Sequence, residues 1–132
     1  KPLFVEDPIP PGNNEAMASV RSRSKLPIAT GERLHTIFEF EDLLKNGAAD
    51  YLRVSLDTVG GITGARKIAA MAEAYYTPLV PHNPLTPVIT AAEMQFSQAS
   101  GTCSFVNIRI LILNYSVTRI RLQQIWSQPI RR

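Results

Sequence analysis

Four polar side chains close four apolar runs of this 132-residue chain, each run starting about 25 residues after the last. Glu6 follows Leu3-Phe4-Val5, Glu32 follows Pro27-Ile28-Ala29, Ser55 follows Tyr51-Leu52-Arg53-Val54, and His82 follows Pro78-Leu79-Val80. Two carboxylates with no cysteine and little histidine beside them form a hard oxygen site, suited to Mg²⁺ rather than zinc. Because Mg²⁺ keeps waters or takes substrate oxygens, two or three protein carboxylates suffice. The same acids at strand ends also make ordinary ion pairs, for which Arg33 and Lys25 are the nearby cations. His82, in "VPHNPLTP", lies between Pro81 and Pro84. The restricted backbone fixes where the ring points. A fixed imidazole near a metal suits acid or base work, since its charge changes near neutrality; a hydrogen-bonded loop histidine is the plain alternative.

The segments between these runs explain how the four positions could meet. Asn14 to Arg23, Ile37 to Lys45 and Ile62 to Tyr76 read as helices, the last with Ile62, Ala65, Ile68, Ala69, Ala72 and Tyr75 on one face. A further helix is expected from Thr86 to Ser97, and a fifth strand from Phe105 to Leu113. Strands alternating with helices at this period predict a parallel sheet. The turns agree: Pro8, Pro10 and Pro11 end the first strand, Asn46-Gly47 closes the second helix, and Gly60-Gly61 precedes the third. That glycine pair could receive an anion on its N–H groups, or simply make a tight turn. In parallel α/β architectures the C-terminal strand ends carry the chemistry. Glu6, Glu32, Ser55 and His82 all fall there. His35, three residues past Glu32, could touch a substrate hydroxyl, Asn83 sits beside His82, and Tyr75 and Tyr76 read as the packing end of a helix.

Composition bounds the class. With 45% hydrophobic and 19% charged residues the chain suits one ordinary domain. No apolar run approaches the roughly 20 residues that cross a bilayer, and the N-terminus lacks a secretory pattern. The expectation is a cytoplasmic protein without membrane contact. Cys103 is the single cysteine, so no internal disulfide can form. Residues 1–93 hold nine Lys/Arg and eleven Asp/Glu, whereas residues 94–132 hold five Arg and no acid. Those arginines are scattered among Ile and Leu without interleaved aromatics, so no nucleic-acid partner is expected.

Four segments, "FVEDP", "PIATGERL", "VGGITGARKIAAMAEAYY" and "VPHNPLTPV", in this order and at these intervals, resemble the enolase superfamily in its mandelate racemase and muconate lactonizing branch. The likeness is greatest to acid-sugar dehydratases of the galactonate or gluconate type, and covers about residues 2 to 98. It implies an α/β fold: a partial (β/α) barrel of the (β/α)₇β kind, with about four βα units plus a final strand. By resemblance, Glu6 and Glu32 are Mg²⁺ ligands and His82 is the catalytic histidine. Arg33, His35 and Asn83 are then the substrate-binding candidates, with Asp7, Ser55 and Asp57 behind them. The implied reaction is Mg²⁺-assisted removal of the proton beside a sugar acid's carboxylate, with loss of the 3-hydroxyl to give a 2-keto-3-deoxy acid.

The sequence also departs from that pattern. The family's remaining aspartate ligand and its base would lie upstream of Lys1. Where the family places an aspartate five residues before the double glycine, this chain has Ser55, with Asp57 two residues on. The family's closing acidic strand is not recognisable after about Ser100; Asn107 and Arg109 stand there instead. Residues 1–100 therefore read as the C-terminal half of a barrel, and residues 101–132 as a divergent basic segment with one strand. Eight βα units need at least about 200 residues. The missing half would come from a partner chain or a second copy, or the chain is a truncated fragment. An inactive module with a structural or assembly role is the alternative to an enzyme portion.

Overall fold

The structure, a computed structural model, describes residues 2–83, 86–103, 106–108 and 118–120. Strand β1 (Val5–Glu6) leads to helix α1 (Asn14–Arg23), β2 (Ile28–Thr30) to α2 (Ile37–Lys45), and β3 (Tyr51–Leu52) to α3 (Gly61–Ala74). Helix α4 (Pro87–Ala99) precedes β4 (Val106–Ile108) and β5 (Thr118–Ile120). The first three strands pair in parallel in chain order, Val5 opposite Ile28 and Ala29 opposite Tyr51. Parallel bridges continue the series from Leu52 to Leu79 and from Leu79 to Cys103. The βα repeat thus places the C-terminal ends of these parallel strands on one rim.

Local chemistry accounts for the helices. Asn13 caps α1 by accepting from the Ala16 N–H at 2.8 Å. Thr36 and Glu39 form a reciprocal capping box on α2, and Thr86 caps α4 ahead of Pro87, which needs no N–H partner in the first turn. Helix α3 stops at Ala74, two residues before the expected end. Tyr76 turns left-handed there (φ 54°), and the Thr77 N–H returns to the Ala72 carbonyl at 3.0 Å. Tyr75 and Tyr76 are exposed, Tyr76 by 96%, so they are not the packing end that their aromatic character suggested.

The core lies between sheet and helices, from Ile28, Leu52, Val54 and Leu79 on the strands to Phe40, Leu43, Ile68, Ala72 and Phe96 on α2, α3 and α4. Gly31 ends β2 at φ 124°, and a Cβ there would come within 2.9 Å of the Phe40 ring and 3.2 Å of the Arg53 carbonyl. Only glycine lets the chain leave the strand this close to its neighbours. Gly60 and Gly61 are both left-handed, and the Gly61 N–H bonds to the Leu56 carbonyl at 2.8 Å, so that group serves the turn rather than an anion.

The expected strand from Phe105 to Leu113 is described only over Val106–Ile108. It pairs antiparallel with Thr118–Ile120 in a separate two-stranded sheet, Asn107 opposite Arg119. The fifth parallel position is taken by Cys103 instead. Phe105 and Arg109 to Leu113 lie outside the described residues. Among the described residues, no helix is long and apolar enough to cross a membrane.

Candidate functional site

The strand ends converge. One oxygen from Glu6, one from Glu32 and a ring nitrogen of His82 lie within 4.8 Å of one another. Glu6 is the last residue of β1, and Asp7 then turns left-handed (φ 42°) while its N–H bonds to the Ala29 carbonyl at 3.0 Å. Glu32 follows Gly31 directly. His82 is carried by its own N–H, which extends the parallel ladder to the Val54 carbonyl at 2.9 Å. Its Nδ1 lies 2.9 Å from Glu32 Oε2 and 3.6 Å from Glu6 Oε1.

The two carboxyls differ in proton affinity. Hydrogen bonding with His82 and the positive charge of Arg53 outweigh desolvation at Glu6 and lower it to about 2. Desolvation and the neighbouring Glu6 push Glu32 above the usual carboxylate range. One member is therefore an anion at neutral pH while the other resists losing its proton, which is the split that environment imposes on close acids.

Arg53 is the residue that sequence reasoning overlooked. Its side chain is 1% exposed. Nε donates to Glu6 Oε1 at 2.5 Å, Nη1 donates to the Val80 and Pro81 carbonyls at 2.9 and 3.0 Å, and Nη2 faces His82 Nδ1 at 2.8 Å. The Phe4 ring lies 5.9 Å from the guanidinium carbon. The signal was an arginine inside the apolar run "YLRVS", two residues from Ser55 and so on the same strand face. A buried arginine is rare without a partner.

The other candidates are placed around this cluster. Asp7 accepts from the Thr30 hydroxyl at 2.6 Å and lies 3.5 Å from Arg33 Nε, which is 4.0 Å from Glu32. Of the two cations considered for plain ion pairs, Arg33 is thus at hand, while Lys25 lines a groove with Arg21 and Asp50 near the N-terminal strand ends. The Ser55 hydroxyl lies 2.5 Å from Asp57 Oδ1 and 2.9 Å from the His82 carbonyl oxygen. Ser55 therefore supports the histidine's backbone, and the ring nitrogen faces Arg53. The Asn83 amide is committed to α4, donating to the Thr86 carbonyl at 3.0 Å and to Thr90 Oγ1 at 2.6 Å. His35 is exposed, and its N–H donates to Glu39 at 3.0 Å in the α2 cap.

Two carboxylates and an imidazole at this spacing are a donor set that a hard divalent cation accepts. Comparison with known proteins agrees in fold. Residues 1–120 match the family model described as enolase C-terminal domain-like. The chain is 45% identical over 92 residues to D-galactonate dehydratase of Ralstonia pickettii (strain 12J), covering 70% of this chain and 24% of that protein. It is 43% identical over 95 residues to the D-galactonate dehydratase of Variovorax paradoxus (strain S110), covering 72% and 25%. Among solved structures, an enolase from Agrobacterium radiobacter with bound Na and L-malate superposes with TM-score 0.80 at 36% identity, covering 83% of this chain and 28% of that one. A mandelate racemase/muconate lactonizing enzyme-like protein from Roseovarius sp. TM1035 gives TM-score 0.79 at 40% identity, covering 83% and 28%. The chain spans about a quarter of the length of the curated relatives it matches.

Proposed function

Because the chain belongs to the enolase C-terminal domain-like family, we propose that it forms the Mg²⁺-binding part of an acid-sugar dehydratase, acting on an aldonate. The observation that carries this reading is the meeting of Glu6, Glu32 and His82 at one strand rim. Glu6 and Glu32 would hold the ion through their carboxylates, with His82 beside them. When bound, Mg²⁺ supplies positive charge against the substrate carboxylate and against the charge that develops as the C2 proton leaves. Arg33, exposed beside Asp7 and Glu32, would meet a substrate oxygen. His82 is the donor to the departing C3 hydroxyl, which leaves as water; the enol that remains rearranges to the 2-keto-3-deoxy acid. A relative of matching fold holds L-malate, itself a 2-hydroxy acid, together with a cation.

The base and the remaining ligand belong to the rest of the barrel, supplied by another part of the protein or a partner copy. Phe38, Ile62 and Val88 support a covering partner: they open the first turns of α2, α3 and α4 on the same rim and are exposed by 72%, 45% and 79%. The second reading, an inactive module with an assembly role, is favoured by Arg53 facing the histidine ring where a carboxylate would support its charged form. Thermal unfolding with and without Mg²⁺ tests the first reading. Mg²⁺ should raise the melting temperature of the wild type and leave Glu32→Gln unmoved; equal shifts in both would remove these acids from the argument.

A further inference from the structure

A cation already stands at the carboxylate pair. Glu6 Oε1, on one of the two proposed ligands, accepts from Arg53 Nε at 2.5 Å, and Arg53 Nη2 faces Nδ1 of the neighbouring His82 at 2.8 Å. We infer that Arg53 is a resident competitor of the divalent cation, occupying Glu6 and setting how tightly a metal is held. This rests on the metal reading above.

Three features make the competition effective. A guanidinium keeps its proton at any physiological pH, so no titration clears it from the site. Arg53 is also anchored from behind, since Nη1 is held by the Val80 and Pro81 carbonyls and the side chain is buried. It cannot withdraw to solvent without leaving two buried carbonyls unpaired. Finally, the charge is permanent and close, so a cation that took Glu6 would meet an unscreened like charge in a site of reduced dielectric. Entry of a metal therefore requires either the displacement of the Arg53 Nε–H from Glu6 or coordination through the remaining oxygens of Glu6 and Glu32. Both routes weaken binding relative to the same donors without the arginine.

The test uses Mn²⁺ as the probe, followed by electron paramagnetic resonance and calorimetry, on the wild type, Arg53→Gln, and Arg53→Gln with Glu32→Gln. Arg53→Gln keeps a donor and removes the charge. Its affinity for Mn²⁺ should exceed that of the wild type by about tenfold or more, the scale on which one neighbouring charge alters a proton's affinity. Adding Glu32→Gln should abolish the gain. Equal or weaker binding by Arg53→Gln, or no binding by either protein, overturns the inference. A gain that survives Glu32→Gln shows instead that the metal sits elsewhere, and fails the metal reading itself. Should Arg53→Gln not fold, the wild type decides the matter by nuclear magnetic resonance. The Arg53 Nε–H signal should move in step with Mg²⁺ saturation, and a signal unchanged at saturation, or Mg²⁺ that never binds, refutes the competition.

Discussion

Glu93 offers a direct measure of the physical reasoning. It sits on α4, 0% exposed, and neither carboxylate oxygen has a hydrogen-bond partner. Burial raises its pKa from the ordinary 4.5 to about 8; the charge of Arg53, just past the end of β3, works against that rise, and Asp57 in the turn beyond adds to it. Cys103, whose thiol burial pushes up to about 11 against the opposing effect of a contact with Ser97, faces it from the next strand position. The unfolded chain releases the Glu93 proton near 4.5, whereas the folded chain keeps it to about 8. Between those values the unfolded state binds fewer protons, so stability falls as pH rises, by about 1.4 kcal/mol per unit, and levels off above 8. At pH 7 the ceiling is about 3 kcal/mol; water reaching the site and local opening reduce the expected cost to about 1–2 kcal/mol. Glu93→Gln removes the ionisable group at constant volume. Urea unfolding between about pH 5 and 8 should show the variant gaining on the wild type steadily with pH, reaching that 1–2 kcal/mol at neutrality. Parallel curves for the two proteins would mean that Glu93 is hydrated or partnered, and would refute the argument.

The same linkage predicts the behaviour of the strand-end acids. Glu32 holds its proton above the ordinary range, so Mg²⁺ affinity measured by calorimetry should rise with pH as that proton is released, and a flat profile would contradict the raised value. Glu6 is lowered from 4.5 to about 2, so its contribution to stability is present above 4.5 and is lost as pH falls towards 2; Glu6→Gln should erase that acid limb. Gly31→Ala should destabilise the fold by about 1–3 kcal/mol, because its Cβ meets the Phe40 ring and the Arg53 carbonyl while the backbone is left-handed; unchanged thermal unfolding would count against the close approach.

Much of the scaffold was legible because each βα unit repeats the same local rules. The apolar runs ending at Glu6, Glu32 and His82 mark parallel strands, and helices α1 and α2 fall where Asn13, Thr36 and Asn46 cap them. Convergence of the three groups followed from position alone, since parallel strands share a rim. Arg53 was missed for a physical reason: an arginine inside a strand reads as an interruption until its partners, 47 and 29 residues away, are known. The commitment of Asn83 to α4 depends likewise on the Thr86 carbonyl and the Thr90 hydroxyl. The antiparallel pairing of Val106–Ile108 could not be read because strand direction is set by the partner, and Ile and Val suit either ladder. Tyr75 shows the opposite failure, an aromatic residue at a helical spacing that is nonetheless exposed.

The central claim is that one hard cation can be held between Glu6 and Glu32 beside His82. Anomalous scattering from crystals grown in millimolar Mn²⁺ measures this most directly. The account predicts a peak at coordination distance, about 2 Å, from an oxygen of each glutamate; a well-occupied peak elsewhere on the chain, with none between those two side chains, would contradict it.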